Sequence, residues 1–452
     1  MKRNNFTAML LATLLLAGCG ANTSSSTSSS AKESTPKPTP TGENTASSGT
    51  PVSTSSSVDV NVPGPNGKTI DLTYSGTASD QTFNEGLFAE FKKARRAAGD
   101  PNVYNIAYEA HGPDAVDSEV VNWGEGPDVY EFASDKIVGL YQKGALARIG
   151  GKYRTFIEEE MNGFGQGAAT FNGDFYAYPY TGDNTYYLQY DKSKLSLEDI
   201  SSVENLLAKA ESIGGKFGYN LETAFWGGGA MFTYGADYSM TFDDDGNVLS
   251  VEADFDTEKG IKAAKAIHKI VTHPAWQNAS AAPNDTNGLV ACIAGTWEIA
   301  GYREALGENY GCAVMPTVTI DGDTKNLGAF LGGKLFGVNP LRSAGNEDRL
   351  VAAHELAMFL SGKDAQLARF ENAGVAPCHA EAAANEAVQA NENVAVLAAH
   401  GSYAHAQTAV PGEFWNAPTK LVATLKSANF GGTDAEFATI CKTFNDSVKA
   451  SK

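Results

Sequence analysis

From Thr69 onward the sequence alternates two kinds of run, and this alternation limits the fold more than any other feature. Residues 69–74 (TIDLTY) form a period-two run with branched and aromatic members, which predicts a strand. Phe83, Leu87 and Phe91 follow at helical spacing. Lys92, Lys93, Arg95 and Arg96 then put cations where a helix C-terminus favours them. Residues 105–108 and 128–132 predict two more strands, and 137–146 a helix. Such alternation implies an α/β domain with a mainly parallel sheet. The roughly 390 residues from 63 to 452 exceed the ~250–300 at which one hydrophobic core stops growing, so two domains are expected.

The N-terminus predicts where the chain resides. Lys2 and Arg3 precede an apolar run from Phe6 to Ala17, shorter than the ~20 residues a membrane span needs. Basic start, short apolar core and small residues read as a secretory signal over residues 1–18. Leu16-Ala17-Gly18-Cys19 resembles the box of bacterial lipoproteins, in which the cysteine is lipidated. An ordinary signal with an incidental cysteine is the plainer alternative. Residues 19–62 are rich in Ser, Thr and Pro and have little to bury, so they predict a disordered tether. The expected location is therefore outside the cytoplasm, lipid-anchored to the outer face of the cell membrane.

Charge excludes one class of partner. The chain carries 34 basic and 53 acidic residues, a formal net charge of −19. Such a surface repels phosphate backbones and argues against nucleic acid. Cys292, Cys312, Cys378 and Cys441 show no C-x-x-C spacing, so neither a zinc site nor a redox motif is supported. Outside the cell disulfides are allowed. Cys292 with Cys312 is the first pairing to consider, and four buried free thiols are the alternative.

Several motifs come close and fail. Residues 328–335 (GAFLGGKL) approach a phosphate-binding loop, but Leu335 stands where Ser or Thr must hold magnesium. A glycine-rich strand near a hinge is the better reading. His354-Glu355 opens like a metalloprotease helix, but Met358 replaces the second histidine. Residues 241–252 mimic a calcium loop, but Thr241 takes the first carboxylate's place, so a hairpin turn is expected. No G-x-S-x-G occurs. No metal and no cofactor are expected. A glycosidase needs only two carboxylates, and no local pattern selects them.

Later segments complete the outline. Residues 175–190 (FYAYPYTGDNTYYLQY) read as two extended runs flanking a turn at 181–184, where the chain passes from one lobe to the other. A hairpin is expected at 239–251, with its turn at 244–247. Helices are expected at 255–272, 350–360, 414–427 and 434–449, and an apolar strand at 289–294.

Five segments carry a family likeness. They are GEGPDVYEFASDKIVGLYQKGAL (124–146), FNGDFYAYPYTGDNTYYLQYDKSKL (171–195), AGTWEIAGY (294–302), YGCAVMPT (310–317) and FLSGKDAQLARFENAGVAP (359–377). In this order the chain resembles bacterial extracellular solute-binding proteins of the maltose/maltodextrin type, which serve ABC sugar importers. The resemblance implies a two-lobed α/β fold, a hinge crossed more than once and a ligand cleft between the lobes. It implies lobe 1 over 63–182 plus about 328–373, and lobe 2 over 183–327 plus about 374–452. It further implies a carbohydrate ligand, an oligosaccharide given the aromatic supply, and a separate membrane permease as partner. A monomer without catalysis is expected.

The same resemblance implies ligand-binding residues. Asp80 and Gln81 follow the first strand, and Phe132, Asp135 and Lys136 follow GPDV. Asp183 lies at the lobe crossing, Glu222, Phe225 and Trp226 in the second lobe, Trp297 in G-T-W and Trp415 in GEFW. The chemistry is consistent, since rings pack on sugar C–H faces and carboxylates accept from hydroxyls. Phe132 equally suits a core, Asp135 a helix cap, Asp183 a turn, and Trp226 packing beneath Gly227–Gly229. Trp297 and Trp415 follow loops rather than lying in apolar stripes. Lys136 stands where the family often has Arg and cannot form the same fork. The rivals are a secreted glycosidase, a binder of a polyamine, phosphate ester or peptide, and an adhesin or sensor on the same fold.

Overall fold

The computed structural model describes residues 60–451, so Cys19, the signal and most of the tether lie outside the described residues. Near the start of the described residues the Val62 carbonyl accepts from Arg96, and the Gly64 N–H donates to Pro101.

The strands that position the site are β1 (Thr69–Ser75), β2 (Val103–Glu109), β3 (Val129–Ala133), β4 (Tyr178–Asp191), β5 (Lys216–Tyr219), β6 (Tyr238–Phe242), β7 (Val248–Ala253), β8 (Trp276–Gln277), β9 (Leu289–Gly295), β10 (Tyr310–Ala313), β11 (Phe330–Val338) and β12 (His405–Ala406). All but the β6–β7 hairpin join one ten-stranded sheet ordered β8-β5-β9-β4-β11-β3-β1-β2. In that sheet β10 also pairs with β4, and β12 with β11. β1 lies parallel to β2 and β3, and β5 parallel to β8 and β9. The contacts of β4 with β9, β10 and β11 are antiparallel.

Two hydrophobic cores flank this sheet. One gathers residues of 70–180 and 335–378, including Tyr74, Phe91, Tyr130, Tyr178 and Phe336. The other gathers residues of 186–330 and 414–448, including Tyr186, Phe217, Phe255, Phe330 and Phe414. β4 and β11 run through both. The fourteen-residue β4 contributes Tyr178 and Tyr180 to the first core, and Tyr186, Tyr187, Leu188 and Tyr190 to the second.

This continuity corrects the turn expected at 181–184. Thr181, Asn184 and Thr185 stay extended and pair with Lys334, Gly332 and Leu331. The Asp183 carboxylate accepts the Ala376 N–H at 2.8 Å, which replaces the local bond a turn would have needed. The glycine-rich 328–335 stretch is largely strand β11, with register shifts at Gly332/Lys334 and Lys334/Leu335.

The hairpin at 238–253 forms, and its turn reaches the first core. Gln142 Nε2 donates to the Gly246 carbonyl at 2.7 Å, Tyr141 Oη to Asp244 at 2.8 Å and Asn172 Nδ2 to Asp243 at 3.0 Å. The Asp243 carboxylate is used inside the turn by the N–H groups of Asp245 and Asn247. Among the described residues no cluster is arranged to hold a metal ion.

The Cys292–Cys312 pairing is not made, and the four described cysteines are free thiols. Both cysteines sit opposite Gln189, from the two neighbours of β4. A strand therefore lies between them. Two interstrand spacings of ~4.8 Å exceed the 4.4–6.8 Å that a disulfide spans between Cα atoms.

Asp128 ties the first core together. It is fully buried, accepts from Arg349 Nε and Nη2 at 2.6 and 2.7 Å, and accepts the Thr73 N–H at 2.7 Å. Arg349→Met leaves this carboxylate buried without its cation. We expect about 3–5 kcal/mol of lost stability, read as a lower midpoint in urea unfolding.

Candidate binding cleft

Chain segments far apart in sequence meet where β4 and β11 pass between the cores. Phe225 and Trp226 lie on a short helix, Ala224–Ala230, packed on the second core. Trp297 sits in the turn Thr296–Glu298 after β9, and Trp415 ends the turn Gly412–Trp415. These four rings line a cavity of about 290 Å³ together with Asp114, Asp135, Lys136, Asn184 and Gln407.

The rings form a supported wall. Trp226 stacks on Tyr186 at 5.5 Å and 21°, and Phe225 stacks on Phe330 at 5.6 Å and 6°. Trp297 meets Trp226 and Phe225 at 6.1 Å, and Trp415 meets Phe330 at 5.7 Å. Trp297 remains 47% exposed, an unusual state for an indole inside a ring cluster. The Trp226 Nε1–H is buried without a partner, a donor left over beside the cavity. Gly295 makes the Trp297 position possible, since a Cβ there would meet the indole at 2.3 Å.

A polar relay faces the rings. Asn184 Nδ2 donates to Gln407 Oε1 at 2.9 Å, and Gln407 Nε2 donates to Asp135 Oδ1 at 2.9 Å. Gln407 fits because Gly332 has no side chain, as a Cβ there would come within 2.5 Å of Oε1. Burial pushes the Asp135 carboxyl up to about 7, opposed by the Lys136 ammonium. Lys136 also approaches Asp117 at 3.6 Å.

The cavity continues at both ends. Trp297 also walls a space of about 280 Å³ that reaches Asp80, Asp183, Lys334 and Arg369. Asp135 also walls a space of about 570 Å³ running to the β6–β7 hairpin, with Gln142, Phe242 and Asn247.

Of the residues expected from sequence, Asp135, Lys136, Phe225, Trp226, Trp297 and Trp415 meet in the central cavity, and Asp80 and Asp183 in the end cavity beyond Trp297. Three do not meet there. Phe132 is 0% exposed within the first core, because the strand's period of two turns its ring to the packed face. Gln81 bonds Glu85 one turn along its own helix, at the surface. Glu222 is drawn into an ion pair with Lys426. Asp114, Asn184, Gln407, Lys334 and Arg369 were not singled out from sequence. Asn184, Lys334 and Arg369 lie in segments already marked (175–190, 328–335 and 359–377), but nothing local distinguishes Asp114 or Gln407.

A ring-lined, polar-edged groove between two α/β cores defines a two-lobed binding protein. The bacterial extracellular solute-binding protein model matches residues 53–396, and the chain belongs to that family. The family places it outside the cytoplasm. No protein of curated function matches the sequence significantly. Among solved structures, a chain described as "with acarbose" is 27% identical, with 84% of this chain and 99% of that one covered and a TM-score of 0.70. The maltodextrin binding protein MalE1 from L. casei BL23 is 19% identical, with 84% and 98% covered and a TM-score of 0.71. The GacH receptor of Streptomyces glaucescens GLA.O is 17% identical, with 86% and 100% covered and a TM-score of 0.67. The latter two share the fold. Among the described residues no helix is long and apolar enough to cross a membrane.

Two outcomes test this geometry. Gly295→Ala displaces the Trp297 ring, so its change in tryptophan fluorescence should resemble that of Trp297→Ala more than that of Trp415→Ala. For Asp135, the folded protein holds a proton that the unfolded chain releases near 3.9. The fold therefore loses stability as pH rises from about 4 through about 7. Asp135→Asn removes that loss, so its melting temperature relative to the parent should rise between about pH 5 and about pH 8.

Proposed function

We propose that this chain captures an oligosaccharide outside the cell and delivers it to the membrane permease of an ABC importer. The observation that carries this reading is the continuity of the groove: Trp297 and Asp135 each belong to two adjoining cavities. A solute spanning all three is longer than one ring. Stacked aromatics suit its C–H faces, and Asp80, Asp114, Asn184 and Gln407 suit its hydroxyls. The maltodextrin- and acarbose-related chains that share the fold support the carbohydrate class.

In this reading lobe 1 is 63–182 plus about 328–373, and lobe 2 is 183–327 plus about 374–452. The change of core between Phe330 and Leu335 supports a second crossing there. The lobes close on the ligand by bending at the two crossing strands. Cys19 carries the lipid, the Ser/Thr/Pro-rich segment tethers the body, and the chain acts as a monomer that binds without turnover.

The test is a thermal-shift series over malto-, cello- and xylo-oligosaccharides of increasing length. A ligand that binds only the folded state adds about 2.7 kcal/mol at a hundredfold excess over its dissociation constant. One series should raise the melting temperature, and its effect should grow with chain length. Trp297→Ala or Trp415→Ala should then weaken binding by about tenfold or more, equal to about 1.4 kcal/mol. Phe132→Leu should lower stability with little change in affinity. Silence from every sugar together with a shift from a polyamine or phosphate ester would replace the carbohydrate reading.

A further inference from the structure

The end cavity beyond Trp297 differs in kind from the aromatic middle. Five acidic or basic side chains wall it: Asp80, Glu131, Asp183, Lys334 and Arg369. Two of its acids are committed to the protein. Glu131 is buried and accepts from the Tyr74 hydroxyl and, at 3.5 Å, from Asn84 Nδ2. Asp183 is buried, accepts the Ala376 N–H, and has its carboxyl pushed up by burial. Asp80 is the open acid, its carboxylate bonded among the described residues only by its neighbour Ser79, at 3.1 Å.

The cations are not committed. Arg369 is 6% exposed, yet it forms no ion pair among the described residues. Its guanidinium is caged by rings, 4.9 Å from Tyr180 and 5.3 Å from Phe83 and Phe336. It makes one hydrogen bond, to Asn84 Oδ1 at 3.1 Å, and its Nε has no partner. The Lys334 side chain has neither a hydrogen bond nor an ion pair among the described residues, although its backbone is fixed in β11 by Thr181. Burying a guanidinium without a carboxylate is costly unless something else satisfies it. The rings supply part of that through cation–π attraction, and Arg369 lines the cavity with its Nε unpartnered.

We propose that this end cavity holds a carboxylate-bearing sugar unit, so that the captured oligosaccharide is acidic. Lys334 and Arg369 face the carboxylate, Asp80 accepts from a neighbouring hydroxyl, and Trp297 packs on the ring. This rests on the oligosaccharide reading above and adds the charge of one terminal unit. A neutral sugar end would leave both cations without a direct ion pair, although Asp80, Glu131 and Asp183 line the same cavity. An amine-bearing end would meet them as like charges.

The experiment is calorimetry on the full-length chain with matched probes. Maltotetraose, cellotetraose and xylotetraose are each compared with the same chain bearing one terminal glucuronic acid, and acarbose supplies a cationic amine. In the series that binds, the acidic member should bind tighter by about tenfold or more. That preference should shrink as salt is raised. In Lys334→Gln the ratio of acidic to neutral affinity should fall toward one. Arg369→Lys, which keeps the charge inside the ring cage, should retain more of the ratio than Lys334→Gln. Equal or tighter binding of the neutral member, or tightest binding of acarbose, overturns the acidic assignment and leaves the oligosaccharide reading standing. An acid preference untouched by Lys334→Gln also overturns it. Absence of binding by every probe overturns both.

Discussion

The backbone ladder between β4 and β11 is the constraint on which the rest depends. Both strands pass through both cores, so the hydrogen bonds from Tyr178–Phe336 to Thr185–Leu331 run from one half into the other. The ladder's register shifts fall at Gly332 and Lys334, the point where one core gives way to the other. A ladder with local irregularity can bend there while the flanking pairs hold, which is how a two-stranded hinge reconciles connection with motion.

The cleft is a consequence of that crossing. Because β4 and β11 lie at its base, the loops that end neighbouring strands converge on it. Asp135 follows β3, Trp297 follows β9 and Gln407 follows β12. The rings then rest on side chains of the crossing strands themselves, Trp226 on Tyr186 and Phe225 on Phe330. Rigid support of this kind holds aromatic faces in place before any solute arrives, which lowers the ordering cost of binding. The β6–β7 hairpin adds a second link between the halves, far along the chain from the crossing, through Tyr141, Gln142 and Asn172.

Much of this was legible in the sequence because it depends on local pattern. The alternation of periods announced α/β architecture, and the glycine-rich 328–335 stretch read as a strand near a hinge. Trp297 and Trp415 stood out because indoles after loops have no apolar stripe to join. Other features depended on distant partners. Residues 181–184 look like a turn until Ala376 and Gln407 take up the polar groups of Asp183 and Asn184. Phe132 was a cleft candidate through the family resemblance after GPDV, with a core position as the equal alternative, and its register on β3 turns it into the core. Cys292 and Cys312 looked close along the chain, and the strand between them is invisible to spacing.

By itself, then, the sequence determined the class: strand–helix alternation, two cores' worth of apolar residues, an acidic exterior and a set of aromatic and acidic candidates. The first three follow from composition and periodicity, which act over a few residues, and the candidates follow from the family resemblance. Tertiary structure alone decided which candidates meet. Gln407 carries no local signal, Lys334 and Arg369 lie in marked segments without being picked out as site residues, and all three come together through β11, β12 and the helix Lys363–Ala373. The physical reason is range: secondary structure is chosen by neighbours in sequence, whereas a binding cleft is chosen by which surfaces packing brings face to face.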